Sequence, residues 1–365
     1  MNFLAVAAIA FVVTVIAVLT LRPLAKSIDL LDRPGGRKNH DGEVPLVGGL
    51  AMFFGIAAGL GLLDPPIPSF GPLLGVFAVL VIIGLLDDRF AVSHWTRLAV
   101  HAVAAVALLL GTRTVVTQLG NPFGNGDIAL HGVGALVFTM VLFAGAINAF
   151  NMLDGMDGLA GTTALTSIGG LAWLMAVSGA SGGEEAAVCA VVSAATVGFL
   201  VFNAPVAGMG RLRCFMGDAG STLLGALVGW LCIRAGQIPD AGTAHPVAVL
   251  WIVAVPLYEL LWTVVRRLSR GRSPLAADSE HFHHVLRRVG FSVPAAFLSF
   301  AILNVALIGI GIALRVTRVP DAASFLLWLV TGVAFVRMIH LAHHVAPFLP
   351  AFGRSSKSAR QPSID

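Results

Sequence analysis

Residues 132–161 read GVGALVFTMVLFAGAINAFNMLDGMDGLAG. The stretch 132–147 holds no ionisable side chain, and a run that apolar, close to the roughly 20 residues needed to cross a bilayer, reads as a membrane-spanning helix. It ends in two amides and two carboxylates at a regular spacing of three: Asn148, Asn151, Asp154 and Asp157. Steps of three regress by about 60° around a helix, so four such residues would spread over half its circumference. Gly155 and Gly158 can leave helical geometry at low cost. The expectation is a helix carrying Asn148 and Asn151, then a turn that returns Asp154 and Asp157 towards the same point. Asn and Asp also cap helix ends and turns, and for any one of the four that reading stays open.

The same texture continues outward along the chain. Of 365 residues, 57% are hydrophobic and 12% charged, and the mean hydropathy is +0.89. Soluble domains are about 25% charged, so the composition describes a polytopic membrane protein. Lipid satisfies no backbone polar group, so the apolar runs should be helices, and the alternation of an outer-membrane barrel is absent. Eleven spans are expected, near 3–21, 47–63, 70–86, 95–111, 132–150, 160–178, 185–202, 219–235, 245–264, 294–314 and 322–341. The fold class is therefore all-α: a transmembrane helix bundle of about 10–11 spans. Residues 1–345 read as one integral-membrane domain and 346–365 as a disordered cytoplasmic tail. The first run lacks a basic leader and a small-residue cleavage site, so it reads as a retained helix. Cys189, Cys214 and Cys232 make no metal or disulfide spacing.

Net charge is +4, and its distribution orients the chain. Basic residues collect after span 1 (Arg22, Lys26, Arg33, Arg37, Lys38), around spans 3 and 4 (Arg89, Arg97), before span 8 (Arg211, Arg213) and between spans 9 and 10 (Arg266, Arg267, Arg270, Arg272, Arg287, Arg288). The opposite loops hold Arg113, Arg234, Arg315 and Arg318. By the positive-inside rule the N-terminus lies outside and the tail in the cytoplasm. With that orientation every polar cluster of chemical interest faces the cytoplasm: RKNHDGEVPLVGG at 37–49, LDDR at 86–89, NMLDGMDG at 151–158, FMGDAGS at 215–221 and HFHH at 281–284. A transporter, the rival reading from another class, would carry its polar residues near mid-membrane in broken helices. Glu259 is the one deep acidic candidate.

Asp87 and Asp88 end span 3, where the helix terminus is already partially negative. Either Arg89 and Arg97 or a divalent cation should compensate them. Asp218 lies in GDAGS at the start of span 8, where exposed N–H groups suit phosphate and a carboxylate suits a metal. His281, His283 and His284 lie in a basic loop with no second Cys or His cluster, so zinc is disfavoured and phosphate binding is the better reading. Hard oxygen donors suit Mg²⁺ or Mn²⁺, which share their shell with water and substrate phosphates. No Walker A, dinucleotide fingerprint or nucleophile elbow is present. Phosphoryl transfer from a soluble nucleotide donor to a lipid acceptor fits both the groups and their location.

In this order, RKNHDGEVPLVGG, GLLDDRF, INAFNMLDGMDGLAG and FMGDAGSTLLG resemble the bacterial polyprenyl-phosphate N-acetylhexosamine-1-phosphate transferases over roughly residues 30–290. The branch most resembled uses UDP-N-acetylglucosamine and undecaprenyl phosphate, at the start of O-antigen, enterobacterial common antigen and teichoic acid synthesis. The resemblance implies a multi-pass protein of the bacterial inner membrane that releases UMP and leaves a lipid diphosphate-sugar. It implies Mg²⁺ at Asp157 and Asp218, with Asp87 and Asp88 as the acidic pair. Asn148, Asn151 and Asp154 would line the pocket, with Asn203 near the nucleotide. His281, His283 and His284 would hold the diphosphate, while Lys38 and His40 match the basic N-terminal motif. Partners are the UDP-sugar, the lipid acceptor and the bilayer, with a homodimer allowed for and no nucleic acid. Two departures stand out. Ser279 occupies the position where a D-R-x-H pattern has Arg, and DDRFA with HFHHVL lacks the Lys and the triple His of the phospho-MurNAc-pentapeptide transferase branch, which is the alternative within the family.

Overall fold

Membrane-spanning length and apolarity recur through the computed structural model, which describes residues 3–33, 42–179, 183–205, 212–238, 246–273 and 281–345. Helix α1 (Phe3–Ser27) leads through strands β1 (Leu31–Asp32) and β2 (Val44–Pro45) to α2 (Gly48–Gly61), α3 (Phe70–Phe90), α4 (His94–Thr112) and α5 (Gly132–Leu153). Then come α6 (Leu159–Val177), α7 (Glu184–Asn203), α8 (Gly217–Gly236), α9 (Pro246–Ile252), α10 (Ala254–Ser269), α11 (Phe282–Val289), α12 (Val293–Val316) and α13 (Asp321–Val345). Among the described residues nine helices are long and apolar enough to cross a membrane, which makes this a multi-pass helical bundle.

Two of the eleven expected spans take another form. Segment 47–63 holds α2, a helix of 14 residues, about 21 Å long at 1.5 Å per residue and short of a hydrocarbon core about 30 Å thick. Segment 245–264 breaks at Val253 into α9 and α10, bent by 84°. Pro256 explains the break: it has no N–H to give the Ile252 carbonyl one turn back. That carbonyl is satisfied instead by the Ser167 hydroxyl of α6, at 3.1 Å. Polar backbone freed in a membrane helix is tolerated where a neighbouring helix supplies such a partner. The HFHH loop is another departure, because it begins helix α11.

Helix α8 is the axis of the bundle. Its apolar window is 89% buried, against 22–61% for the other long helices, and α2, α3, α5 and α6 surround it. Close approach is built in at Gly84 of α3, where a Cβ would overlap the backbone of Ala219. The outward faces of α12 and α13 stay apolar and exposed, with Leu298, Ile302, Val305, Val330 and Val333 among them, as lipid contact requires. The antiparallel pair β1–β2 (Leu31 with Pro45, Asp32 with Val44) is stitched to the start of α8. Phe215 N–H donates to the Pro45 carbonyl at 2.9 Å, and Gly48 and Gly49 N–H donate to the Phe215 and Met216 carbonyls at 3.0 Å. The N-terminal segment and the GDAGS motif therefore sit at one end of the bundle.

Candidate active site

At that end α3 delivers two carboxylates to the first turn of α8. Asp88 accepts from Asp218 N–H at 2.9 Å and from Ala219 N–H at 3.4 Å. Met216, the residue at the N-cap position, offers no side-chain cap. Asp88 thus caps α8 from another helix, satisfying donors the helix cannot use itself and placing negative charge at its positive end. Gly217 has φ +69, and a Cβ there would meet the Asp88 carboxylate. Asp87 pairs with Arg97, whose Nη1 also lies 3.4 Å from Asp218. Chain groups therefore compensate the acidic pair, though only half as expected. Arg89 turns away to the Ile28 carbonyl at 3.2 Å and to Asp29 at 3.5 Å.

The α5–α6 connection bends as its glycines allow. Asn151 donates to Asp218 at 2.5 Å and to the Ser221 hydroxyl at 3.2 Å. Asp154 follows the last residue of α5, and Asp157 pairs with Arg213, whose guanidinium lies 4.7 Å over the Phe215 ring. Asp154 has no such partner among the described residues. Burial raises its pKa well above the usual carboxylate range, and the charges of Asp218, Asp88, Asp157 and Asp32 push it further the same way. Five carboxylates from four stretches of chain thus share one electrostatic neighbourhood. Asn148 is outside this group: its amide donates to the Ala144 carbonyl of its own helix at 2.8 Å.

Asn203 uses its amide on backbone. It accepts from Gly158 N–H at 2.7 Å and donates to the Cys214 carbonyl at 2.9 Å. It ties the turn after Asp157, with Gly158 at φ +74, to the segment entering α8. The structure gives it a scaffolding position beside the acidic turn.

The histidines meet this turn from the other side. His283 is buried, both its ring nitrogens are without a hydrogen-bond partner, and its ring lies so close to Gly155 that a Cβ there would overlap Nε2. Burial, then the neighbouring His284 and His281, hold its pKa well below the usual histidine value. Its surroundings therefore favour the neutral ring. His281 stacks on it, centroids 5.9 Å apart and planes within 5°, and His284 lies 4.1 Å from His283. Glu259, which a reading by spans leaves isolated, is fully buried against His281. A carboxylate inside an apolar run was its signal, since such a group is retained only with a partner. Lys38, His40 and Ser279 lie outside the described residues.

Among the described residues no three His, Cys, Asp or Glu side chains form a ready-made metal cage. Mg²⁺ needs none: one or two carboxylates suffice when water and phosphate complete its shell. The excess of hard oxygen donors around unpartnered Asp154 fits that kind of site.

Residues 70–236, which span the three acidic motifs at 86–89, 151–158 and 215–221, match glycosyl transferase family 4. Over 355 residues the chain is 35% identical to an undecaprenyl-phosphate alpha-N-acetylglucosaminyl 1-phosphate transferase of Salmonella typhimurium, covering 96% of this chain and 95% of that protein. It is 35% identical to the enzyme of the same name from Yersinia pestis (93% and 92% covered), and 33% identical to that of Escherichia coli K12 (96% and 94% covered). Similar at this level over nearly its whole length, the chain belongs to the family of these sugar-phosphate transferases, glycosyl transferase family 4.

Proposed function

We propose that this protein transfers N-acetylglucosamine-1-phosphate from UDP-N-acetylglucosamine to undecaprenyl phosphate, releasing UMP and starting a cell-envelope polysaccharide. We place it in the bacterial inner membrane with its acidic end in the cytoplasm. The observation that carries the reading is the full-length similarity to enzymes named for this reaction, together with the gathering of Asp87, Asp88, Asp154, Asp157 and Asp218 at one bundle end.

In this reaction an oxygen of the lipid phosphate attacks the β-phosphorus of the donor in line. The bond from that phosphorus to the bridging oxygen breaks, and UMP carries the electron pair away. A phosphate monoester has its second pKa near 6, so at neutral pH the acceptor is already mostly dianionic and needs no strong base. Asp88 is tied to two backbone N–H groups and Asp87 to Arg97, an arrangement that suits positioning better than proton abstraction. Asp154, Asp157 and Asp218 would hold Mg²⁺. When bound, that ion neutralises phosphate charge between the attacking and leaving groups. Arg97, Arg213 and the histidines supply the remaining positive charge and N–H donors.

The test is purified protein with undecaprenyl phosphate and labelled UDP-N-acetylglucosamine, with and without EDTA. UMP and a lipid-linked sugar should form together, and only without chelator. Release of UDP instead of UMP, or turnover only with UDP-MurNAc-pentapeptide, overturns the assignment.

A further inference from the structure

The fully buried carboxylate of Glu259 lies outside the acidic cluster, and its two oxygens have separate partners. Oε1 accepts from Phe282 N–H at 2.8 Å, which caps α11. Oε2 lies 3.2 Å from His281 Nδ1. His281 is itself the N-cap residue of α11 and caps nothing with its ring. One side chain of α10 therefore sets both the start of α11 and the orientation of the first histidine. Because a carboxylate can only accept, Nδ1 must carry the proton. Nε2 is then the ring nitrogen left for a ligand. The ring is further held by the parallel face of His283, which rests on Gly155 beside the acidic turn.

We propose that Glu259 is a positioning residue of the transferase site: it accepts from His281 Nδ1–H and so leaves Nε2, as N–H in the protonated ring, to donate to the phosphate chain of the donor. This rests on the transferase reading and adds to it a residue from inside the bundle.

Glu259→Gln is the variant of choice, because its amide oxygen can still accept from Phe282 N–H while the carboxylate is gone. In histidine-¹⁵N-labelled protein without substrate, the His281 signal, assigned by His281→Asn, should show protonated Nδ1 in the parent. In Glu259→Gln the neutral ring should shift towards the Nε2–H form. Turnover should fall about 10–100-fold, the usual cost of removing the partner that orients a working histidine. Donor KM should change less than kcat. In the His281→Asn background, Glu259→Gln should change the rate less than about 2-fold. An unchanged tautomer, an unchanged kcat, or an equal loss in both backgrounds overturns the proposal, the last pointing to a purely structural role. Because the NMR arm uses no substrate, absence of UMP release from the parent protein would sink the transferase reading while the Glu259–His281 pairing is still decided on its own.

Discussion

Asp88 and Asp154 are two carboxylates in one neighbourhood with opposite relations to the fold. Asp88 is held by Asp218 N–H and Ala219 N–H, so Asp88→Ala uncaps α8 and should cost about 1 kcal/mol, as loss of an N-cap commonly does. Asp88→Asn keeps an acceptor and should lose less. Thermal denaturation in detergent ranks the two, while UMP release should fall for both at every pH, since each weakens the hold on the first turn of α8 that carries Asp218; a simple shift of the activity profile to higher pH would restore a base role. Asp154 strains the fold instead. Its pKa in the folded chain is raised by burial and by four carboxylates, so the unfolded chain ionises first as pH rises. Stability therefore falls from about pH 4 upward until the folded-state group also ionises. Asp154→Asn should melt above the parent at pH 7.5 without divalent cation. The gap should close towards pH 4 and narrow when Mg²⁺ is added to the parent, while activity is lost. A variant that melts lower at pH 7.5 would show that the carboxylate is not repelled.

At the scale of elements, contacts between motifs matter more than the motifs themselves. Gly155 brings the α5–α6 turn against His283 of α11, and Gly155→Ala forces the buried ring to move. Activity should drop at least about 10-fold, and overpacking the buried ring should cost about 1–3 kcal/mol of stability. Retained activity would remove His283 from the working site. Apolar run length foretold nine long helices and the acidic ends of α3 and α5, because those depend on local composition. It missed the 84° break at Val253, although Pro256 was visible, because hydropathy sums length and is blind to which carbonyl loses its donor. It also read α2 as a full span, since the apolar residues flanking its 14-residue helix belong to connections. Asn203 and Asn148 looked alike as amides near motifs. Only tertiary structure separates an amide clamped between Gly158 and Cys214 from one bonded within its own helix. Asp32 carried no pattern and Arg213 entered only through the count of basic residues; they join the site because β1–β2 and the entry to α8 are hydrogen-bonded to one another.

At the scale of the whole molecule, the uneven arginine distribution bears on which aqueous phase the acidic end meets. Arg97 and Arg213 lie with the carboxylates, whereas Arg113 and Arg234 lie at the opposite ends of α4 and α8. A donor made in the cytoplasm requires the acidic end to face inward, which is also what positive-inside counting demands. Two exposed sites test this: His94 at the start of α4 and Asp127 in the connection before α5. Two of the three native thiols give little background. Cys189 and Cys214 are buried, and burial pushes the Cys214 thiol up to about 12, leaving almost no thiolate to react at neutral pH. In intact spheroplasts an impermeant maleimide should label Asp127→Cys and spare His94→Cys, and permeabilised cells should label both. The converse pattern would turn the acidic end outward, away from any cytoplasmic nucleotide. Arg97, Arg213 and the carboxylates would then need a donor that bacteria do not supply on that side, and the transferase reading would fail on geometry even with every side-chain contact intact.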